Sequence, residues 1–263
     1  MDSATRQQFL DDYQKIRYAE GRGSADPAYY QALPYKDLTG RNASQWEIRG
    51  RSYRHFERHI LTPAERAAGR ALRILDLGAG TGWMSWRLGL RGHKAVAVDI
   101  FTDPLDGLGA AQKFPVQPEA VAAEFDQLPF ADESIDLAVY NSSIHYSSDY
   151  AKTLSEARRV LKRDGMVVIL DSPCYSRQEH GQRMREERQE FFLRTHGFRS
   201  EALRSIEYLD EGTLATLSRE LGITWNRSYP WYGWKWAWRP WRARLKRQRP
   251  PSQFFVLSGR FGR

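Results

Sequence analysis

Ile74-Leu-Asp-Leu-Gly78-Ala-Gly80-Thr-Gly82 decides how this chain is read. An apolar run over 72–77 leads straight into three glycines at alternate positions. The run reads as a buried strand, and the glycines let the backbone turn tightly and approach a ligand without Cβ obstruction. Residues 83–90, stopped by Gly92, then read as a short helix. The first turn of that helix offers unpaired N–H groups and a positive dipole end, which suit a carboxylate or phosphate. Trp83 stands where the dinucleotide fingerprint G-x-G-x-x-G needs its third glycine, and no Gly-Lys-Ser/Thr of a Walker motif occurs.

Working outward, residues 94–98 form a second strand closed by Asp99, whose carboxylate can accept from both hydroxyls of a ribose. Residues 121–125 and 135–140 are further strands. Tyr150, Leu154, Ala157 and Leu161 recur at helical spacing over 149–162, with Gly165 as the expected stop. Met166-Val-Val-Ile-Leu170 is a buried strand, and 177–196 a polar helix outside the sheet. Asp210 caps a last helix over 211–221, ended by Gly222, and 223–229 and 254–258 close the sheet as a strand pair. Upstream, Ser44-x-x-Glu47 and Thr62-Pro63-Ala64-Glu65 are capping-box patterns, with Trp46, Tyr53, Phe56 and Ile60 along one helix face. Strands alternating with amphipathic helices predict an α/β fold with a doubly wound, mostly parallel sheet and an antiparallel C-terminal pair. The expected division is an N-terminal helical cap, 1–70, and a main domain, 71–263, with an insertion at about 230–250.

The composition of the 263 residues, 27% charged and 41% hydrophobic, is that of an ordinary globular protein and excludes disorder. The single cysteine, Cys174, excludes an intramolecular disulfide framework. The polar N-terminus shows no apolar signal-peptide core, so the expected compartment is the cytoplasm, with a peripheral place at a membrane as the alternative. Net charge is +8, unevenly distributed: 221–263 hold ten basic residues and no acid, leaving −2 for the rest. Six of the nine tryptophans lie in that same stretch.

The chain resembles the class I S-adenosylmethionine-dependent methyltransferases, which have a Rossmann-like sheet. The resemblance covers 72–172 clearly and the C-terminal helix and strand pair more loosely. It rests on Leu75-Asp-Leu-Gly-Ala-Gly-Thr-Gly82, Asp99, Glu124-Phe-Asp-Gln-Leu-Pro-Phe130, Ile135-Asp-Leu-Ala-Val-Tyr-Asn141 and Glu156-Ala-Arg-Arg-Val-Leu-Lys-Arg-Asp-Gly165. It implies S-adenosyl-L-methionine as cofactor and S-adenosyl-L-homocysteine as product. Gly78, Ala79, Gly80, Thr81 and Gly82 would pass the methionine portion, Asp76 would fix the loop, and Asp99 would hold the ribose. Glu124 would accept from the adenine amine, the Phe125 backbone would lie beside the ring, and Asn141 would sit beneath the methionine. Glu124 stands where the family commonly has Asp, and the Pro- and Gly-containing stretch 101–118 is an insertion.

The acceptor is less legible. Asn141-Ser-Ser-Ile144 departs from the Asp/Asn-Pro-Pro-Tyr of amine and adenine modifiers. His145, Tyr146 and Asp171, near strand ends, are the candidate catalytic residues, each weighed against a packing or capping role. Trp83 has packing as its expected role, and Arg49 and Arg51 a solvated face. No metal is expected, although Asp136 and Asp171 leave that open. The expected activity is methyl transfer to an oxygen or nitrogen of a small-molecule, glycan or lipid-like acceptor. The alternatives are a nucleic-acid methyltransferase and a non-catalytic cofactor-binding protein. Trp234, Trp238, Trp241 and Leu245 share helical spacing beside basic residues, in a stretch that Pro240 interrupts or restarts. That stretch, 231–249, has three readings: packing on the body of the protein, an anionic membrane surface, or single-stranded nucleic acid.

Overall fold

The computed structural model describes residues 3–197 and 205–262. It begins with four helices, α1 (Ser3–Ala19), α2 (Pro27–Ala32), α3 (Ala43–Phe56) and α4 (Thr62–Ala68). A π-helical turn, Glu57–Leu61, joins the last two without a break. Helix α3 starts after Asn42, so Ser44 lies inside it and is not its cap. Thr62 has helical backbone angles and continues the chain of turns, so neither capping box begins a helix. Thr62 and Glu65 instead receive the Arg91 guanidinium.

Next come β1 (Arg73–Leu77), α5 (Trp83–Leu90), β2 (Lys94–Asp99), β3 (Glu119–Ala122), β4 (Ile135–Asn141), α6 (Tyr150–Val160) and β5 (Leu161–Leu170). After β6 (Cys174–Tyr175), α7 (Gln178–His196) and β7 (Leu209–Asp210), the chain forms α8 (Glu211–Leu221) and β8 (Ile223–Ser228). Two short helices, α9 (Trp234–Ala237) and α10 (Arg239–Leu245), precede β9 (Val256–Phe261). The main sheet runs β3-β2-β1-β4-β5-β9-β8. Its first five strands are parallel, and β9 runs antiparallel to both β5 and β8. This is the doubly wound, mostly parallel sheet expected from the alternation of elements. Chain order reverses direction at β1, which has β2 on one side and β4 on the other; ligands bind such sheets at that switch point.

Both faces of the sheet are buried, so each strand alternates between two cores. Leu75, Leu77, Tyr140, Val167 and Ile169 face α6 and α8, packing with Leu154, Leu214 and Leu217. Ile74, Val139, Val168 and Leu170 face the other way, onto Tyr53, Phe56, Met84 and Leu88 of α3 and α5. Fully burying each of these large side chains contributes about 2 kcal/mol. The N-terminal helices therefore cover one face of the sheet together with α5, and supply the rim of the cavity described below.

Three local expectations shift, the first being the closing strand expected at 254–258, which occupies Val256–Phe261. The helix over 149–162 ends at Val160, and Gly165 lies within β5, where pairing skips from Ile135–Leu161 to Leu137–Met166. The extra residues form a bulge, which a glycine accommodates. The strand expected at 121–125 occupies Glu119–Ala122, so Glu124 and Phe125 fall in a turn closed by the Glu124–Gln127 bridge. The expectations for α5, Asp210 and Gly222 match the structure: Asp210 accepts from the Thr213 N–H, and Gly222 takes the left-handed C-terminal position.

Candidate active site

The turn after β1 is held open by sterics. Gly78, Gly80 and Gly82 all have positive φ. A Cβ on Gly78 would lie 2.3 Å from the Ser143 Cβ, so a side chain there would push the turn off the end of β4. Above the turn, at the carboxyl ends of β1, β2 and β4, is a cavity of about 870 Å³. That is within the size range of small-ligand sites. Asp76, Gly78, Ala79, Gly80, Thr81 and Asp99 line it on one side. Glu124, Phe125, Asn141 and Tyr146 line it on the other.

The polar groups facing the cavity are incompletely satisfied. Asp99 accepts from the Gly80 and Phe101 N–H groups at 2.8 and 2.9 Å, one on each carboxylate oxygen. Each oxygen keeps a lone pair for a further donor. Burial raises the Asp99 pKa against those hydrogen bonds. Asp76 accepts the Ser85 N–H and hydroxyl, both on Oδ2, at 3.2 and 3.0 Å. It thereby pins the first turn of α5 while Oδ1 has no hydrogen-bond partner among the described residues. Burial pushes the Asp76 carboxyl up to about 7. The Thr81 hydroxyl is buried and has no partner among the described residues, which is costly unless a ligand supplies one. Gly82 is set back from the cavity as the residue before α5.

Two N-terminal helices complete the wall. From α1, Phe9, Tyr13 and Arg17 border the cavity. Arg17 pairs with Asp106, and Gln14 and Tyr18 both donate to Asp103 at 2.8 and 2.6 Å. The insertion 101–118 is thus the dock for α1. From α3 come Trp46 and Arg49. The Arg49 guanidinium lies 4.9 Å from the Trp46 ring and donates to the Ser142 hydroxyl at 3.1 Å. Among the described residues it forms no ion pair. The solvated face expected for Arg49 is therefore corrected, whereas Arg51 lies outside, on Glu47 and the Trp231 carbonyl. Trp83 packs edge-on against Trp46 and Tyr53 and also reaches the cavity.

The three catalytic candidates separate. Tyr146 borders the cavity with its ring edge-on to Tyr13, at 5.7 Å. His145 and Asp171 are not among the lining residues, which corrects their expected position. The His145 ring lies tilted against Tyr146 with Nδ1 3.3 Å from the Ser172 hydroxyl, and burial lowers its pKa to about 3. So weak a base withdraws little proton density from an acceptor at neutral pH. Asp171 is buried and accepts from Ser52, whose hydroxyl is also 2.7 Å from the Tyr232 hydroxyl. It holds α3 against the C-terminal segment. Asp136 lies at the opposite end of the sheet, and among the described residues no group of three or more His, Cys, Asp or Glu could hold a metal.

Sequence reasoning missed Tyr13, Arg17, Phe101 and Asp106, because their approach is set by the docking of α1 and not by a local motif. Asp103, with its Asx-type contacts to Leu105 and Asp106, was the signal that 101–118 folds as a compact turn.

Residues 75–169 match the family model described as a methyltransferase domain. A malonyl-[acyl-carrier protein] O-methyltransferase of Erwinia pyrifoliae is 36% identical over 101 residues, 38% of this chain and 37% of that protein. An uncharacterized methyltransferase of Mycobacterium bovis is 39% identical over 38% of this chain and 40% of its own length. The match thus spans well under half of these curated relatives. Among solved structures, PH0226 of Pyrococcus horikoshii shares the fold at a TM-score of 0.55 and 18% identity, covering 89% of this chain and 99% of that one. A chain from the complex of the Haloferax volcanii Trm112 methyltransferase activator with a methyltransferase gives 0.54 and 19%, covering 84% and 97%. Residues 75–169 therefore carry a methyltransferase domain, set in a fold shared with these solved structures.

Proposed function

We propose that the chain moves a methyl group from S-adenosyl-L-methionine to an oxygen or nitrogen of a small-molecule, glycan or lipid-like acceptor. The observation that carries this reading is the set of under-satisfied groups on one cavity wall: the Asp76 and Asp99 lone pairs and the orphaned Thr81 hydroxyl. They fit a ligand with an ammonium group and a ribose. When bound, the cofactor supplies a methyl group on a cationic sulfur.

In this reading the turn at 78–82 and Asn141 seat the amino-acid end of the cofactor, and Asp76 faces its ammonium group. Asp99 grips the ribose hydroxyls, and Glu124 and Phe125 border the adenine. The remaining wall, Tyr13, Trp46, Arg49 and Tyr146, holds the acceptor and excludes water. Transfer then depends chiefly on alignment, since a correctly held nucleophile needs little acid–base help. Arg49, stacked on Trp46 and in no ion pair among the described residues, favours an acceptor bearing a carboxylate; the Erwinia pyrifoliae relative is named for O-methylation of a malonyl group, which has one.

The test is turnover with methyl-labelled cofactor against a panel of carboxylate, hydroxyl and amine acceptors. Label transfer to a panel member, lost in Asp99→Ala, supports the reading. Cofactor binding with no transfer across the panel would favour the non-catalytic alternative.

A further inference from the structure

The segment between β8 and β9 turns its apolar side outward. Backbone hydrogen bonds from Trp238 to Trp234 and from Arg242 to Trp238 carry the helical path across the junction of α9 and α10. Pro240 lies in the first turn of α10, where its missing N–H does no harm. Along this path Trp234, Trp238, Trp241 and Leu245 form one stripe, and they are 74, 60, 62 and 83% exposed. The side facing the body holds Trp236, packed on Tyr232 and Phe254. A surface helix ordinarily buries its apolar stripe and exposes its polar one. Here three tryptophans and a leucine meet solvent together, so of the three readings of this stretch, packing on the body of the protein does not hold for these four side chains.

A second stripe, one residue on, is basic: Lys235, Arg239, Arg242 and Lys246. Among the described residues Arg242, Arg244, Lys246 and Arg247 form no ion pair, and no acid occurs from 221 onward. Arg239, Arg242 and Lys246 also line a second cavity, of about 540 Å³, whose other cations include Arg183 and Arg249. Arg249 is neutralised by Glu187, at 2.6 Å. The Arg239 guanidinium stacks on Trp236 at 3.7 Å, and its Nη1 is buried with no partner among the described residues. Burial pulls the Arg239 pKa down.

We propose that this segment docks on an anionic phospholipid surface, with the Trp234/Trp238/Trp241/Leu245 stripe in the interface and the Arg239 cavity receiving a lipid phosphate. Charge complementarity selects this occupant. A neutral apolar partner leaves the unpaired cations without counter-ions, and a soluble anion leaves the tryptophans in water. Indole rings favour the headgroup region, and each nearby cation adds attraction to anionic lipid. The proposal stands apart from methyl transfer, and its test reads no turnover.

The experiment is sedimentation of the full chain with vesicles of phosphatidylglycerol and phosphatidylcholine in equal parts, and with phosphatidylcholine alone. The expected result is retention on the anionic vesicles that persists in part at high salt. Trp234→Ser, Trp238→Ser and Trp241→Ser combined should weaken retention about a hundred-fold. Arg239→Gln with Arg242→Gln should weaken it about five-fold per charge, with no loss on phosphatidylcholine. The exposed tryptophans leave the fold intact, which circular dichroism of the triple variant checks. Equal retention of the triple variant would overturn the proposal. So would binding of a single-stranded oligonucleotide with no retention on either vesicle.

Discussion

Asp136 and Asp76 lie on adjacent strands of one sheet, at opposite ends, and are treated in opposite ways. Asp136 accepts from both Arg70 nitrogens, the Arg73 N–H and the Lys162 ammonium at 2.7–2.8 Å. Burial alone would raise its pKa, but these donors outweigh it and hold the carboxyl well below the usual range. Asp76, and Asp99 beside it, are buried next to a cavity with few donors, and burial wins. The difference teaches which end of the sheet is built for stability and which holds binding potential in reserve. A saturated acid has nothing left to offer a ligand, whereas an under-satisfied one in a cavity gains most when a ligand arrives.

Substitution at the two ends should therefore separate binding from stability. The largest effect is expected for Asp99→Ala: affinity for S-adenosylhomocysteine should fall about a hundred-fold or more, the loss of two charge-assisted hydrogen bonds, with the melting temperature little changed. Unchanged affinity in a calorimetric titration would remove Asp99 from the ribose site. Asp136→Ala should do the reverse. It should lower unfolding free energy by about 2 kcal/mol, discounted for the half-exposed Arg70, and leave ligand affinity intact. That stability belongs to the ionised acid, so denaturant melts should show it fully at neutral pH and losing it only in strong acid.

The third test uses Asp76. Its carboxyl is raised from the ordinary 3.8 to about 7, so between those values the folded chain holds a proton the unfolded chain has released. Stability from this group therefore falls as pH rises through that window. A ligand ammonium needs the carboxylate, so affinity for S-adenosylhomocysteine should rise about ten-fold per pH unit up to about 7 and then level off. Asp76→Asn should flatten that profile. Arg49→Met should raise the KM for a carboxylate acceptor about ten-fold while cofactor affinity holds; a loss of cofactor affinity would instead assign Arg49 to the methionine carboxylate. The smallest effect is expected for His145→Asn, less than about two-fold in kcat, since so weak a base contributes little.

These contrasts also mark what the sequence reveals. The strand at 73–77, the glycine turn and Asp99 are legible because a strand, a tight turn and a helix start are local and demand particular residue types. Asp210 and Gly222 are legible for the same reason. The roles of Arg17, Arg49 and Asp171 are not, because each depends on helices that meet across the fold: α1 on the 101–118 turn, and α3 on Tyr232. The spacing of Trp234, Trp238, Trp241 and Leu245 was plain, but periodicity identifies a stripe without saying whether it faces a core or the outside. Gly165 shows the same limit, since a glycine after a helical pattern can end the helix or sit in a bulge.

Titration of the purified chain with S-adenosylhomocysteine, followed by heat release at neutral pH, bears most directly on the whole account. One equivalent bound by the native chain, with the heat lost in Asp99→Ala, is the predicted result. No binding heat from material that circular dichroism shows to be folded would contradict it.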